Sequence, residues 1–289
     1  MTASAALDHI IMSVLPPSAA MADDARTRGG DLAGWLAGAR HAPRPSAERR
    51  IVLVIGADHG VLDPGVALGP DHPTIVALAA LDGGEAALCR IARTAGATLL
   101  LVDAGVAEPA HLPRAVLGVS PGHGSGDLAT GAALSIVDVG MALDAGVALA
   151  TALAEDGVDV LALGAVGRAR VAAGLALVPP AASPAAVLAA VGGRDIAVLA
   201  GVILAAAAMH VAVIVDGAVT TAAALVAARL APNAAGYVCA AHAGGGAAAA
   251  AARRALGLTP LVAAGLGHGE GAGAAMALPL VAAAAAAIG

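Results

Sequence analysis

The sequence predicts an α/β fold, a mostly parallel sheet with helices packed on both of its faces. Three observations support that class. Short runs of β-branched and aliphatic residues recur, at Ile51–Ile55, Leu99–Val102, Val158–Leu163 and Val211–Val215. Alanine-rich segments of helical length lie between them. Each run gives way at its carboxyl end to a glycine or an acid, as at Gly56-Ala57-Asp58, Asp103, Gly164 and Asp216-Gly217. Strands that are apolar throughout need cover on both faces, and strands spaced by helices pair in parallel. The 289 residues suffice for one large domain, or for one domain with a helical appendage.

In chain order, the polar stretch Asp23–Asp31 leads into a short amphipathic helix around Leu32–Ala39. The linker His41–Ser46, with two prolines, follows. Residues 1–48 are therefore an N-terminal helical segment and linker, and residues 49–289 the α/β domain. The first strand, Ile51–Ile55, opens into the polar loop Gly56–Gly60. Helices are expected at Thr74–Leu81 and Glu85–Gly96, on either side of Gly83-Gly84, and then a strand at Leu99–Asp103. A helix over Ala142–Asp156 precedes the strand that runs into Gly164. Helix 196–209, strand 211–215, helix 219–230 and strand Gly236–Ala241 come next. The alanine tracts 247–252 and 282–287 are taken as helical, the second within a final helix Ala274–Ala287.

A net charge of −6 with no basic cluster argues against a nucleic-acid partner. There is no Phe, one Trp (Trp35) and one Tyr (Tyr237), so the core is packed from Ala, Val, Leu and Gly. Stacking platforms for single-stranded nucleic acid are excluded with it. The hydrophobic fraction of 59% raises the question of a membrane span, and Ile196–Val215 has the length for one. Its first part is rich in Ala and Leu, as a buried helix is, and its last five residues are β-branched and alanine, as a buried strand is. No membrane partner is expected. The N-terminus has no basic segment before an apolar one, so no signal peptide is read. Cys89 and Cys239 read as buried thiols in a reducing cytosol, which makes the expected location cytoplasmic.

Ligands of such sheets collect beyond the carboxyl ends of the strands. Those ends carry Asp58-His59, Asp103, Gly164, Asp216-Gly217 and His242. The most informative stretch is Gly267-His268-Gly269-Glu270-Gly271-Ala272-Gly273. Glycines at alternate positions let backbone approach a ligand and leave Glu270 in a weakly solvated loop, where desolvation would make it a base usable near neutrality. The plainer reading is a glycine turn with Glu270 favouring the N-terminus of the final helix. Asp58, His59, His242 and His268 match no compact metal-ligand spacing, so neither metal nor cofactor is expected. Gly192-Gly193-Arg194-Asp195 and Asp216-Gly217, taken singly, read as a cap and a turn. Gly164, Gly167, Arg168 and Arg170 form a strand-to-helix segment that resembles a phosphate loop.

A collinear set of motifs spans roughly residues 27–284. It comprises Gly56-Ala57-Asp58-His59-Gly60-Val61 with Gly65-Val66, Gly83-Gly84, Gly124-Ser125-Gly126-Asp127-Leu128-Ala129-Thr130, and Gly192-Gly193. Asp216-Gly217 with Ala222–Leu225, His242, Leu256-Gly257-Leu258 with Pro260-Leu261, and Gly269-Glu270-Gly271 complete it. In this order they resemble the nicotinate-nucleotide–dimethylbenzimidazole phosphoribosyltransferase family. The resemblance implies a doubly wound sheet with a small helical subdomain from the termini, and a homodimer. It implies nicotinate mononucleotide and a benzimidazole-type base as substrates, and α-ribazole phosphate for the lower ligand of cobalamin as product. By position, Glu270 is the base that takes the benzimidazole N–H proton. Asp58, His59, Gly164, Gly167, Arg168, Arg170, Asp216, Gly217, His242, Gly269 and Gly271 become substrate-binding.

The departures cluster in the donor loop. The family pattern Gly-Glu/Asp-Met-Gly-Ile-Gly-Asn-Thr-Thr stands here as Gly164-Ala165-Val166-Gly167-Arg168-Ala169-Arg170-Val171-Ala172, without its acid, Asn and Thr residues. A Gly-Thr-Gly loop and a lysine are deleted after it, and the family's N-terminal Lys-Pro-Pro-Gly-Ser-Leu-Gly is reduced to Arg28-Gly29-Gly30. A Ser and a Gln of the family are Ala67 and Val76, and the Ser and Glu after His242 are glycines. Three readings follow. One is the transferase, with Arg168 and Arg170 replacing lost phosphate contacts; the alternative is a weak or inactive paralogue that binds a nucleotide or base, or regulates a partner. The third is a related transferase or hydrolase acting on a different ribosyl compound.

Overall fold

The computed structural model describes residues 4–60, 69–119, 122–128, 130–167, 183–263, 266 and 270–289. Among these the sheet has strands β1 (Arg50–Ala57), β2 (Thr98–Gly105), β3 (Leu117–Gly118), β4 (Val160–Val166), β5 (Ala212–Val215) and β6 (Val238–Ala240). They lie in the order β3-β2-β1-β4-β5-β6, and every pair is parallel. The chain winds outward from β1 in one direction and then crosses back to β4 on its other side. The β1/β4 boundary is therefore the topological switch point.

The described helices are α1 (Ala5–Ser13), α2 (Ala19–Arg40), α3 (Pro73–Asp82), α4 (Ala87–Thr94), α5 (Ile136–Glu155), α6 (Pro184–Val191), α7 (Arg194–Ala208), α8 (Gly217–Leu230), α9 (Gly246–Leu256) and α10 (Ala272–Ala286). Alternation along β1 sends Leu53, Ile55 and Ala57 into a core shared with α5, α7 and α8, and Val52 and Val54 into a second core shared with α3, α4 and α10. Without phenylalanine, the first core closes by bringing helices together. A Cβ on Gly146 of α5 would overlap the Val198 carbonyl of α7, and one on Gly201 would overlap that of Leu143. From the termini, α2 and α10 build a small layer of their own through Ala25, Ala33, Ala37, Ala284 and Ile288. The first helix takes another course, since Leu7 lies in the larger core.

The run 196–215 divides as its composition predicts, into α7 and β5, both buried. Of the described helices, α5 alone is long and apolar enough to cross a membrane. One of its faces packs on α7, where Leu143, Val147 and Ala150 are buried.

Several boundaries differ from the sequence expectation, each for a local reason. The polar stretch Asp23–Asp31 is helical, because Arg26 pairs with Asp23 and Arg28 with Asp24 one turn apart. The helix then kinks at Gly30, with φ 83°. α5 starts at Ile136, not Ala142, with Ser135 and Asp138 closing a capping box. The segment before β6, Pro232–Tyr237, is a 3₁₀ turn, so the sixth strand begins only at Val238. Helices α1 and α6 and the two-residue strand β3 were not expected.

Candidate functional site

The first strand at the switch point ends in Asp58 and His59, which point to opposite sides of the sheet. Asp58 accepts from Thr74 Oγ1 of α3 at 2.5 Å and from the Ala107 amide at 2.8 Å. His72 Nδ1 stands 3.8 Å from Oδ2, the oxygen that accepts from Ala107. His59 turns toward α7, where Nε2 meets Asp195 Oδ2 at 3.3 Å and its ring lies on Gly193 with no room for a Cβ. Burial alone would lower the His59 pKa. The Asp195 carboxylate beside it, with a further contribution from Asp58, holds it above its ordinary value of 6.5.

The loop Gly124–Asp127 lies over this strand end. The Ser125 amide donates to the Asp58 carbonyl at 3.0 Å, and Arg194 Nε donates to the Gly124 carbonyl at 2.9 Å. Arg194 also pairs with Asp138 at 2.7 Å, which ties the start of α7 to the start of α5.

On the other side of the boundary, β4 ends in Gly164-Ala165-Val166-Gly167. Gly164 carries the Glu270-Gly271 peptide directly on its Cα, because a Cβ there would overlap the Glu270 carbonyl. Gly167 faces the Ala57 carbonyl of β1 in the same intimate way. Glu270 is half-buried and holds a left-handed backbone, φ 56°. Gly271, φ 95°, caps α10 immediately after it. Glu270 is therefore the residue before the N-cap of a helix, its backbone set against Gly164 of β4.

One strand further out, β5 ends in Asp216-Gly217 and β6 leads to His242. Asp216 Oδ1 hydrogen-bonds His242 Nε2, and Asp216 Oδ2 accepts from the Gly273 amide at 2.8 Å. His242 Nδ1 accepts from the amides of Gly244 at 2.9 Å and Leu266 at 3.2 Å. Gly217, φ 78°, starts α8. Asp103, on the far side, folds its carboxylate onto the Gly105 and Val106 amides at 2.8 and 2.7 Å and makes a local turn.

Asp58, His59, Gly164, Gly167, Glu270 and Gly271 thus share the β1/β4 rim, while Asp216, Gly217 and His242 stand beside it and reach it through α10. Arg168, Arg170 and Gly269 lie outside the described residues. Among the described residues, no group of three His, Cys, Asp or Glu side chains converges as metal ligands do. The sequence marks Asp195 only as part of a cap. The glycine pair before it was the available sign that something bulky, the His59 ring, had to fit there.

Comparison with known proteins bears on the family and the fold. A family model described as phosphoribosyltransferase matches residues 28–178 and 168–289. The nicotinate-nucleotide–dimethylbenzimidazole phosphoribosyltransferase of Yersinia enterocolitica is 35% identical over 147 residues, 51% of this chain and 41% of that protein. Its namesake from Roseiflexus sp. RS-1 is 33% identical over 172 residues, 59% of this chain and 45% of that protein. The chain so matches less than half the length of these curated relatives. Over nearly the whole fold, it superposes on the crystal structure of the Thermus thermophilus enzyme of that name with a TM-score of 0.81 and 27% identity, covering 98% of this chain and 95% of the other.

Proposed function

This chain belongs to the nicotinate-nucleotide–dimethylbenzimidazole phosphoribosyltransferase family, and on that premise we propose that it transfers the phosphoribosyl group of nicotinate mononucleotide to 5,6-dimethylbenzimidazole or a related base. The observation that carries the reading is the seat of Glu270, its backbone on Gly164 at the switch point of the sheet. In this reading the Glu270 carboxylate serves the crevice in which sheets of this kind hold their ligands. In the reaction the Glu270 carboxylate takes the benzimidazole N–H proton. The freed nitrogen forms a bond to C1′ of the ribose as the bond from C1′ to the pyridinium nitrogen breaks. That electron pair leaves with nicotinate, a neutral pyridine ring once released, and C1′ inverts. In this reading Asp58, His59, Gly164, Gly167 and Gly271 line the crevice, and Arg168, Arg170 and Gly269 are the contacts to phosphate and base. The product, α-ribazole phosphate, places the chain in cobalamin biosynthesis. The same reading makes it a cytoplasmic homodimer, and sedimentation that returned only monomer would remove that part.

A second reading, a paralogue that binds but does not turn over, is favoured by one observation. The donor loop lacks the acid, amide and hydroxyl side chains of the family pattern. One assay separates the two. Release of nicotinate from nicotinate mononucleotide that depends on added benzimidazole supports the transferase. Thermal stabilisation by both compounds with no release of nicotinate supports the binding paralogue.

A further inference from the structure

From the hydrogen bonds around His242, we infer that Asp216 and His242 are positioning residues: together they hold both flanks of the loop that carries Glu270. The inference rests on the reading of Glu270 as the base. Both side chains are buried, at 6% and 4% exposure. His242 Nδ1 accepts two amides, from Gly244 and Leu266, so its single hydrogen is on Nε2 and points at Asp216 Oδ1. The other oxygen of Asp216 accepts the Gly273 amide in the first turn of α10. Leu266 on one side of Glu270 and Gly273 on the other thus hang on one histidine–aspartate pair. Gly273 fits there because it has no Cβ, which would overlap the His242 ring.

A carboxylate is the group this arrangement demands, because it must accept on both oxygens. An asparagine at 216 meets one of two conflicts. With its amide nitrogen toward Gly273, two donors oppose each other. With that nitrogen toward His242, Nε2 must accept, the ring hydrogen moves to Nδ1, and it then faces the Gly244 and Leu266 amides. In either orientation one flank of the Glu270 loop is released, although the substituted side chain has the same shape.

The experiment is hydrogen exchange on the intact protein, read peptide by peptide, for the parent, Asp216→Asn and His242→Asn. In Asp216→Asn the peptides spanning 266–273 exchange on the order of tenfold faster while β1 and β4 stay protected, as loss of a buried hydrogen bond from a local unit predicts. His242→Asn keeps an acceptor near the Nδ1 position for the Leu266 amide, and its exchange there rises less. In the transferase assay Asp216→Asn lowers kcat and leaves KM for the base within about twofold, because a displaced catalytic group affects the transition state more than the ground state. Parent-like exchange in 266–273, acceleration spread evenly over the domain, or parent kcat in Asp216→Asn overturns the clamp. A loosened segment together with full turnover by Glu270→Gln keeps the clamp and removes the assignment of Glu270 as the base instead.

Discussion

Gly164 carries the carbonyl of Glu270 directly on its Cα, with no space for a methyl group between strand and loop. Gly271 returns the contact, since a Cβ there would lie 2.9 Å from the Gly164 Cα. Gly164→Ala must therefore push the Glu270 loop away from β4 or bend the strand. Overpacking of a buried contact costs about 1–3 kcal/mol, so the urea midpoint should fall accordingly. Activity should fall further than that stability loss accounts for, since the loop that moves carries the proposed base. A variant with parent midpoint and parent turnover would show that the contact does not constrain Glu270.

The His59–Asp195 pair gives stability a defined pH dependence. Its pKa in the folded protein lies above 6.5, the value it takes once unfolded. The folded state therefore holds the proton more tightly. The pair's contribution is complete below about pH 6.5 and is lost as pH rises through the folded value. His59→Gln should flatten that decline when urea midpoints are compared across neutral and mildly alkaline pH. Identical slopes in parent and variant would remove the pair from this role.

How far all this could be read from sequence depended on what each residue faces. β1, β4 and β5 were plain because they are buried on both faces and need no alternation. β3 had no such signal: Leu117 and Gly118 are an exposed two-residue edge. The start of α5 was hidden by Ile136 and Val137, apolar residues on an exposed face, and only Ser135 three places before Asp138 marked it. Glu270 and the strand-end residues stood out by composition. The partner of His59 did not, being 136 positions away and placed where helices ordinarily carry an acid. Nor could the grip of Asp216 and His242 on the Glu270 loop be seen, because the groups they bind are backbone amides, which every residue but proline has.

A second pH dependence, of opposite sign, sits at the other end of the sheet. His41 and His210 stack with ring centroids 3.9 Å apart, and both have left-handed backbones. Tyr237 donates to the Leu15 carbonyl at 3.1 Å, so its oxygen accepts from His41 Nε2 at 3.0 Å. Burial, then the neighbouring His41 and Arg40, hold the His210 pKa below 6.5. Its contribution is thus present above about pH 6.5 and is lost as pH falls through the folded value. Arg40 and Asp159 are paired beside the stack at 2.7 Å. His210→Asn, which tolerates the left-handed backbone, should lessen the fall in urea midpoint between about pH 7 and pH 5. An undiminished fall would assign the acid sensitivity to other groups.

Phosphate recognition should be strongly dependent on salt. In the proposed reading the segment 164–172 is the donor loop, and it carries Arg168 and Arg170 but none of the Asn and Thr side chains of the family pattern. Accessible charge pairs weaken with ionic strength, while neutral buried contacts do not. Calorimetric titration of nicotinate mononucleotide should show affinity falling as salt rises, and falling further in Arg168→Ala plus Arg170→Ala. Tight binding that ignores both would place the phosphate elsewhere.

The last prediction sets chemistry against stability at one residue. The backbone of Glu270, at φ 56°, is one that non-glycine residues adopt at a cost of roughly 1–2 kcal/mol. Glu270→Gly relieves that cost and should raise the urea midpoint, while removing the carboxylate and with it the proton transfer. Glu270→Gln leaves the backbone term alone. It keeps an acceptor for the base N–H but no longer a group that can carry the proton away. Positioned acid–base groups contribute roughly 10²–10⁴-fold, so kcat should fall by that factor with KM for the benzimidazole little changed. If Glu270 serves only the dipole of α10, the outcome differs: the amide costs about 0.3–1 kcal/mol of stability and turnover persists. The diagnostic pattern is a Gly variant that is more stable and inactive beside a Gln variant that is equally folded and slow. Turnover near the parent rate in Glu270→Gln would end the assignment of the base, whatever the stability of either variant.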